Sequence, residues 1–241
     1  MRKILIYVLC LLFTINLAIA NASENKNHET LSGSTVMNNW GSSAINFSKI
    51  IKKELQTQFT NGKNLFHWWI LERVVFPKIG LPTKSIFGYP TYKKVYLPDS
   101  FSVKSVGNED FLTFYKNRLM AYYTELDAKA YQDYVEKLKS KYGTGSTKNM
   151  NVYANAVTYA EREEEYRLTV SNWNQNGSQI FLIKSYTEWG MISDTSVYLL
   201  YLNSPMLDEL ANEVAANVKS ARDKANAANE RSKKENLKKI D

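Results

Sequence analysis

The sequence predicts an α+β protein with an N-terminal helical hairpin, an antiparallel sheet of about six to eight strands covered by one helix, and a charged helical tail at the C-terminus. Three observations support this prediction. Apolar residues recur at helical spacing near both ends of the chain. Short runs of alternating apolar and polar residues fill the middle, and polar residue pairs that suit tight turns separate several of these runs.

The first 22 residues have the composition of a secretory signal peptide. Arg2 and Lys3 precede an apolar run over residues 4–17, and Ala20 and Ala22 supply small residues for cleavage. The run of roughly 14 residues is shorter than the roughly 20 that a membrane-spanning helix needs. We therefore expect export to the periplasm or beyond the cell, with cleavage near Ala20 or Ala22.

Removal of residues 1–22 changes both the redox chemistry and the charge of the chain. Cys10 is the only cysteine, so the mature protein has no disulfide and no thiolate site. Loss of Arg2 and Lys3 leaves 29 basic and 24 acidic residues, a net charge of +5, of which residues 219–241 carry +4. A nucleic-acid-binding domain carries its positive charge on the folded body. We therefore expect no nucleic-acid partner.

The mature chain is predicted to begin with a flexible leader over residues 23–41, which are rich in Asn, Ser, Gly and Thr. A single α+β domain over residues 42–218 follows. Apolar residues at every fourth position predict an amphipathic helix over 44–59, with Ser42 or Ser43 as its N-cap. The largely apolar segment 65–76 completes the helical hairpin.

Strand-like patterns occupy the middle of the domain. The predicted strands lie at 92–97, 101–106, 111–115, 118–125, 152–159, 165–173, 179–186 and 196–202. Lys116 and Asn117 separate two of them by a connection of hairpin length, and Asn176 with Gly177 gives a strong turn signal between two others. The order of the strands in the sheet stays open.

Two further helices are predicted. Asp127 caps a helix over 128–142 that covers one face of the sheet, and a polar loop over 143–149 follows it. Ser204 begins the last helix, whose apolar stripe runs to residue 218. Beyond that point the stripe consists of alanines, which bury too little surface to hold a helix on a core. We therefore expect residues 219–241 to form a basic helical or disordered tail outside the domain.

Catalytic and metal chemistry finds little support in the sequence. His67 is the one candidate for a general base, because it lies in an apolar segment where burial can shift its pKa. No serine stands in a nucleophile-elbow pattern, and two histidines without cysteine do not make a zinc site. We therefore expect no metal or cofactor, and we favour a protein that is not an enzyme.

Candidate binding residues come from loop-adjacent tryptophans and from the end of the tail. They are Trp173, Trp189, Lys233, Lys234, Lys238 and Lys239. These features predict a non-catalytic binding module of the bacterial envelope whose partner is a protein or another envelope component. Two alternatives stay open: an envelope hydrolase or transferase that uses carboxylates and His67, and a peripheral membrane protein whose tail binds anionic lipid.

Overall fold

The structure is a computed structural model that describes residues 31–57, 101–107, 110–155, 163–189 and 192–237. The helices are α1 Gly33–Met37, α2 Ala44–Ile51, α3 Tyr131–Tyr142 and α4 Ser204–Leu237, and a 3-10 turn, Ala128–Ala130, precedes α3. The strands are β1 Gln56–Thr57, β2 Phe101–Val106, β3 Asp110–Tyr115, β4 Arg118–Leu126, β5 Ser146–Asn155, β6 Glu163–Gln175, β7 Ser178–Trp189 and β8 Ile192–Asn203. The predicted signal peptide, the second helix of the hairpin and the strand at 92–97 lie outside the described residues.

The described strands form one antiparallel sheet in the order β1-β2-β3-β4-β8-β7-β6-β5. Strands β1 to β4 make one meander and β5 to β8 make a second. The meanders meet where β4 pairs with β8, from Ala121 opposite Leu202 to Leu126 opposite Val197. This arrangement, with helices packed against an antiparallel sheet, confirms the predicted α+β fold.

Both predicted hairpin turns are present. Lys116 and Asn117 adopt φ angles of 51° and 55°, and Asn176 and Gly177 adopt 46° and 74°. Two consecutive positive φ angles match the right-handed twist of the paired strands, which explains why Asn and Gly occupy three of these four positions. Each turn fixes the register of the strands on either side of it.

Helix α4 covers one face of the sheet. Its buried residues, Met206, Leu207, Leu210, Ala211, Val214 and Val218, form one core with Tyr115, Met120, Ala121, Leu168, Phe181, Ile183, Leu200 and Leu202. The first half of α4 therefore supplies one side of this hydrophobic core. The sequence assigned a covering role to the helix that begins at residue 128; α4 covers this face, and the helix from residue 128 packs on the other.

Helices α1 and α3 lie on the opposite face. Trp173 pairs with Ile180, the neighbour of Phe181 in β7. Because successive side chains of a strand point to opposite faces and Phe181 belongs to the α4 core, Trp173 lies on the other face. Its indole N–H donates to the carbonyl of Gly143 at the end of α3. In α1, Gly33 lies so close to the ring of Tyr201 in β8 that an added Cβ would clash with it. The sheet is thus covered by helices on both faces.

Three boundaries differ from the sequence prediction. Helix α2 ends at Ile51 rather than at residue 59, because Lys52 turns into the left-handed region at φ 54°. Strand β5 begins at Ser146, inside the predicted loop, because Ser146 already pairs with Asn172 of β6. Residues 33–37, placed in the leader, form α1, and its Val36 is fully buried. A local turn ends α2, whereas contacts with distant residues decide the other two boundaries.

Candidate interaction surface

Helix α4 consists of two halves in different surroundings. Over 204–218 its apolar stripe is buried against the sheet, whereas the side chains of 219–233 are exposed except for half-buried Ala221. The helix continues without a break to Leu237. We call residues 219–237 the helical extension; at 1.5 Å per residue it is about 28 Å long.

The packed half of α4 is also held by polar contacts to the β3–β4 turn. Glu209 accepts from Lys116 Nζ at 3.1 Å and from Arg118 at 2.5 Å, and Glu213 lies 3.0 Å from Lys116 Nζ. The hydroxyl of Tyr115 donates to Glu213. We call these five residues the turn clasp.

The turn clasp shifts the ionisation of both glutamates. The hydrogen bond from Arg118, followed by that from Lys116, lowers the pKa of Glu209. The hydroxyl of Tyr115, followed by Lys116, lowers the pKa of Glu213. Both carboxylates therefore stay charged at neutral pH and hold the packed half of α4 to the β3–β4 turn.

The helical extension combines a small-residue stripe with basic flanks. Ala221, Ala225, Ala228 and Ser232 follow one another at spacings of four, three and four, so they continue the line of the buried stripe. Arg222, Lys224, Arg231 and Lys233 lie on its two sides at 100° per residue and are exposed. Over 219–237 there are six basic and three acidic residues. Such a surface allows close approach of another chain and attracts negative charge.

The candidate binding residues fall in different places. Trp173 is 3 % exposed and its Nε1–H donates to the Gly143 carbonyl at 3.0 Å, so it has little surface to offer a ligand. Trp189 is the last residue of β7, where it pairs with Ile192. Lys233 is exposed on the helical extension, and Lys234 belongs to the same helix.

The remaining candidates, Lys238, Lys239 and His67, lie outside the described residues. The structure therefore brings two of the four candidate lysines onto one helix and places Trp173 elsewhere, in the packing between sheet and α3. It does not bring the candidate residues together into one site.

A buried polar pair went unnoticed in the sequence. Asp110 is fully buried in β3, and the hydroxyl of Tyr122 in β4 donates to its Oδ1 at 2.7 Å. Burial, and then the negative charge of Asp110, raise the pKa of Tyr122. Oδ2 has no hydrogen-bond partner within the part of the chain that the structure describes. No local pattern in β3 indicates the burial of Asp110, because the strand has buried residues on both faces.

The described residues contain no group of three His, Cys, Asp or Glu side chains close enough to hold a metal ion. Of the helices in the same ranges, none is both long enough and apolar enough to cross a membrane. No protein-family model, curated protein or solved structure matches the chain.

Proposed function

We propose that the mature chain is an exported, non-catalytic interaction protein of the bacterial envelope, and that its helical extension binds an acidic protein partner. The proposal depends on one observation: α4 continues for about 28 Å beyond Val218, and over 219–233 its side chains are exposed apart from half-buried Ala221. A helix that only served the core would end where its buried stripe ends.

The first half of α4 prepares the second half for binding. Starting a helix is costly because several residues must be fixed before the first hydrogen bond forms. In α4 the packed residues 204–218 supply that start, and the turn clasp orients it. A partner would therefore meet a helix that is already formed, so binding loses less conformational entropy than it would with an unfolded tail.

The chemistry of the extension favours an acidic helix as the partner. Its alanines allow two helices to approach closely, and the four basic residues beside them face the rim of such a contact. Opposite charge at the rim raises the association rate and disfavours basic partners. A second copy of the chain would present the same basic flanks and is repelled.

The signal-like residues 1–22 support the location that we propose, with cleavage near Ala20 or Ala22. In that compartment the chain would act without disulfides, since Cys10 is removed with the signal peptide.

The test is photo-crosslinking in intact cells from a reactive amino acid at Asn229 in the extension, with the same residue at exposed Lys148 of β5 as the control position. We expect a protein adduct from position 229 that is absent from position 148, and an acidic contact region when the adduct is sequenced.

Two matched variants identify the chemistry. Changing Arg222, Lys224, Arg231 and Lys233 to Gln should abolish the adduct. Changing Lys129, Lys137, Lys141 and Lys148 to Gln removes the same charge from exposed positions of the body and should leave the adduct intact. Equal adducts at both crosslinking positions, adducts with lipid alone, or no loss in the first variant would contradict the proposal.

A further inference from the structure

Helix α2 exposes two large aliphatic side chains. Among the large hydrophobic side chains that the structure describes, Ile45 and Ile50 stand out as exposed, at 68 % and 46 %. The helix buries Ala44 and Phe47 instead. At 100° per residue, Lys49 lies between the two isoleucines on the outward side.

Two more lysines extend this surface. Lys52 caps α2 and Lys53 follows it, and both are exposed. Glu54, exposed beside Lys53, is the one acidic residue in the described range 31–57, so the three lysines leave the surface with a net positive charge. We call Ile45, Lys49, Ile50, Lys52 and Lys53 the α2 patch.

We propose that the α2 patch is a contact surface for an anionic lipid leaflet. Aliphatic side chains on the outward side of a helix can enter the region between headgroups and acyl chains, while lysines extend their charged ends to the phosphates. A surface with three lysines and one carboxylate keeps a net positive charge, which attracts it to anionic headgroups within a Debye length.

The size of the patch favours lipid over a protein partner. A stable protein interface buries about 800 Å² on each partner. The α2 patch offers two aliphatic side chains on an eight-residue helix, which is much less. Shallow insertion into a leaflet does not need an extended complementary surface. The two isoleucine side chains can enter the lipid individually.

The α2 patch is distinct from the helical extension. Neither Ala44 nor Phe47 belongs to the core beneath α4. The extension also carries alanines where α2 carries isoleucines, and alanine gains little from entering a membrane. The inference is therefore independent of the partner proposed for the extension.

The test uses the chain over residues 23–241 with vesicles of phosphatidylethanolamine and phosphatidylglycerol, and phosphatidylcholine vesicles as the neutral control. We expect co-sedimentation with the anionic vesicles only. Each lysine of the patch changed to Gln should lower the partition coefficient about fivefold. I45S/I50S should also reduce binding, and its thermal unfolding should match that of the unaltered chain because both side chains are exposed.

The absence of cysteine from the mature chain gives a clean second readout. An environment-sensitive fluorophore on Asn46→Cys should shift to the blue on anionic vesicles, whereas the same label on Ala227→Cys in the extension should not. The variant with Gln at 222, 224, 231 and 233 serves as the charge control and should still bind. Absence of vesicle binding, unchanged binding of I45S/I50S, or a blue shift at position 227 alone would overturn the inference.

Discussion

Truncating the chain after Ala221 should leave the stability of the body nearly unchanged, whereas Leu210→Ala in the same helix should destabilise it strongly. The two changes affect the two halves of α4. Leu210 is fully buried in the core with Leu200 and Leu202, while the side chains of 222–233 are all exposed.

The magnitudes follow from burial. Replacing a fully buried leucine by alanine removes transfer free energy and leaves a cavity, at a cost of about 3 to 4 kcal/mol. In a body of this size 1 kcal/mol shifts the Tm by roughly 2 to 4 °C, so Leu210→Ala should lower the Tm by roughly 6 to 16 °C. The truncation removes no buried side chain among the described residues. It places a carboxylate at a helix C-terminus, which costs no more than about 1 kcal/mol.

Thermal unfolding followed by circular dichroism near 222 nm distinguishes the two outcomes. The truncated chain should lose helical signal in proportion to the residues removed, yet keep a Tm within about 4 °C of the full chain. A drop as large as that of Leu210→Ala would mean that the extension packs back on the body. A normal Tm for Leu210→Ala would mean that α4 does not hold the sheet. Either result refutes the division of α4 into a packed half and an exposed half.

The folded protein lowers the pKa of Glu209 and Glu213 below the ordinary 4.5, so their stabilising effect is complete above that value and is lost as the pH falls through the folded pKa. The E209Q/E213Q variant should therefore melt below the unaltered chain at pH 7, and the difference should shrink as the pH falls below 4.5 and through the folded pKa values; a difference independent of pH would contradict the assignment. Trp173→Phe removes the indole N–H that donates at 3.0 Å to the Gly143 carbonyl and should cost about 1 kcal/mol in urea unfolding, and an unchanged midpoint would exclude that role for the indole. Tyr122→Phe should lower the free energy of unfolding by about 2 to 3 kcal/mol, because it removes the donor to buried Asp110. If its effect and that of Asp110→Ala were strictly additive in a double-mutant cycle, the hydrogen bond between the two side chains would not contribute to stability.

Local signals in the sequence predicted most of the elements correctly. Asn176 and Gly177 suit positive φ angles whatever surrounds them, so the turn between β6 and β7 follows from residue type. Ser43 accepts from the amide of Asn46 as an N-cap should, and Asp127 does the same for Lys129. These features depend on neighbours within a few residues, which is why the sequence alone predicts them.

Features that depend on distant residues were not predictable in the same way. The apolar run in β4 indicates a buried strand, but not that β8 is the neighbouring strand. The apolar stripes of α3 and α4 both indicate a covered face, and only the packing shows that α4 is buried against Leu200 and Leu202.

The candidate interaction surface was predicted in part. The change from Val218 to alanines indicated where α4 leaves the body, because side-chain size is visible in the sequence. The turn clasp was not visible, since Lys116 and Glu213 are nearly 100 residues apart in the chain. The exposure of Ile45 and Ile50 was equally hidden, because the spacing of apolar residues in α2 does not show which of them the sheet covers.

The meeting of the two meanders at β4 and β8 has a consequence for the route by which the protein folds. Their paired residues are 71 to 81 positions apart in sequence, from Leu126 with Val197 to Ala121 with Leu202. Contacts of such long range slow folding because the intervening chain must be closed into a loop first. Until β8 arrives, β4 presents an open strand edge, which is a template for pairing between molecules. The nascent protein should therefore be most prone to aggregate before its last strand and α4 have been made.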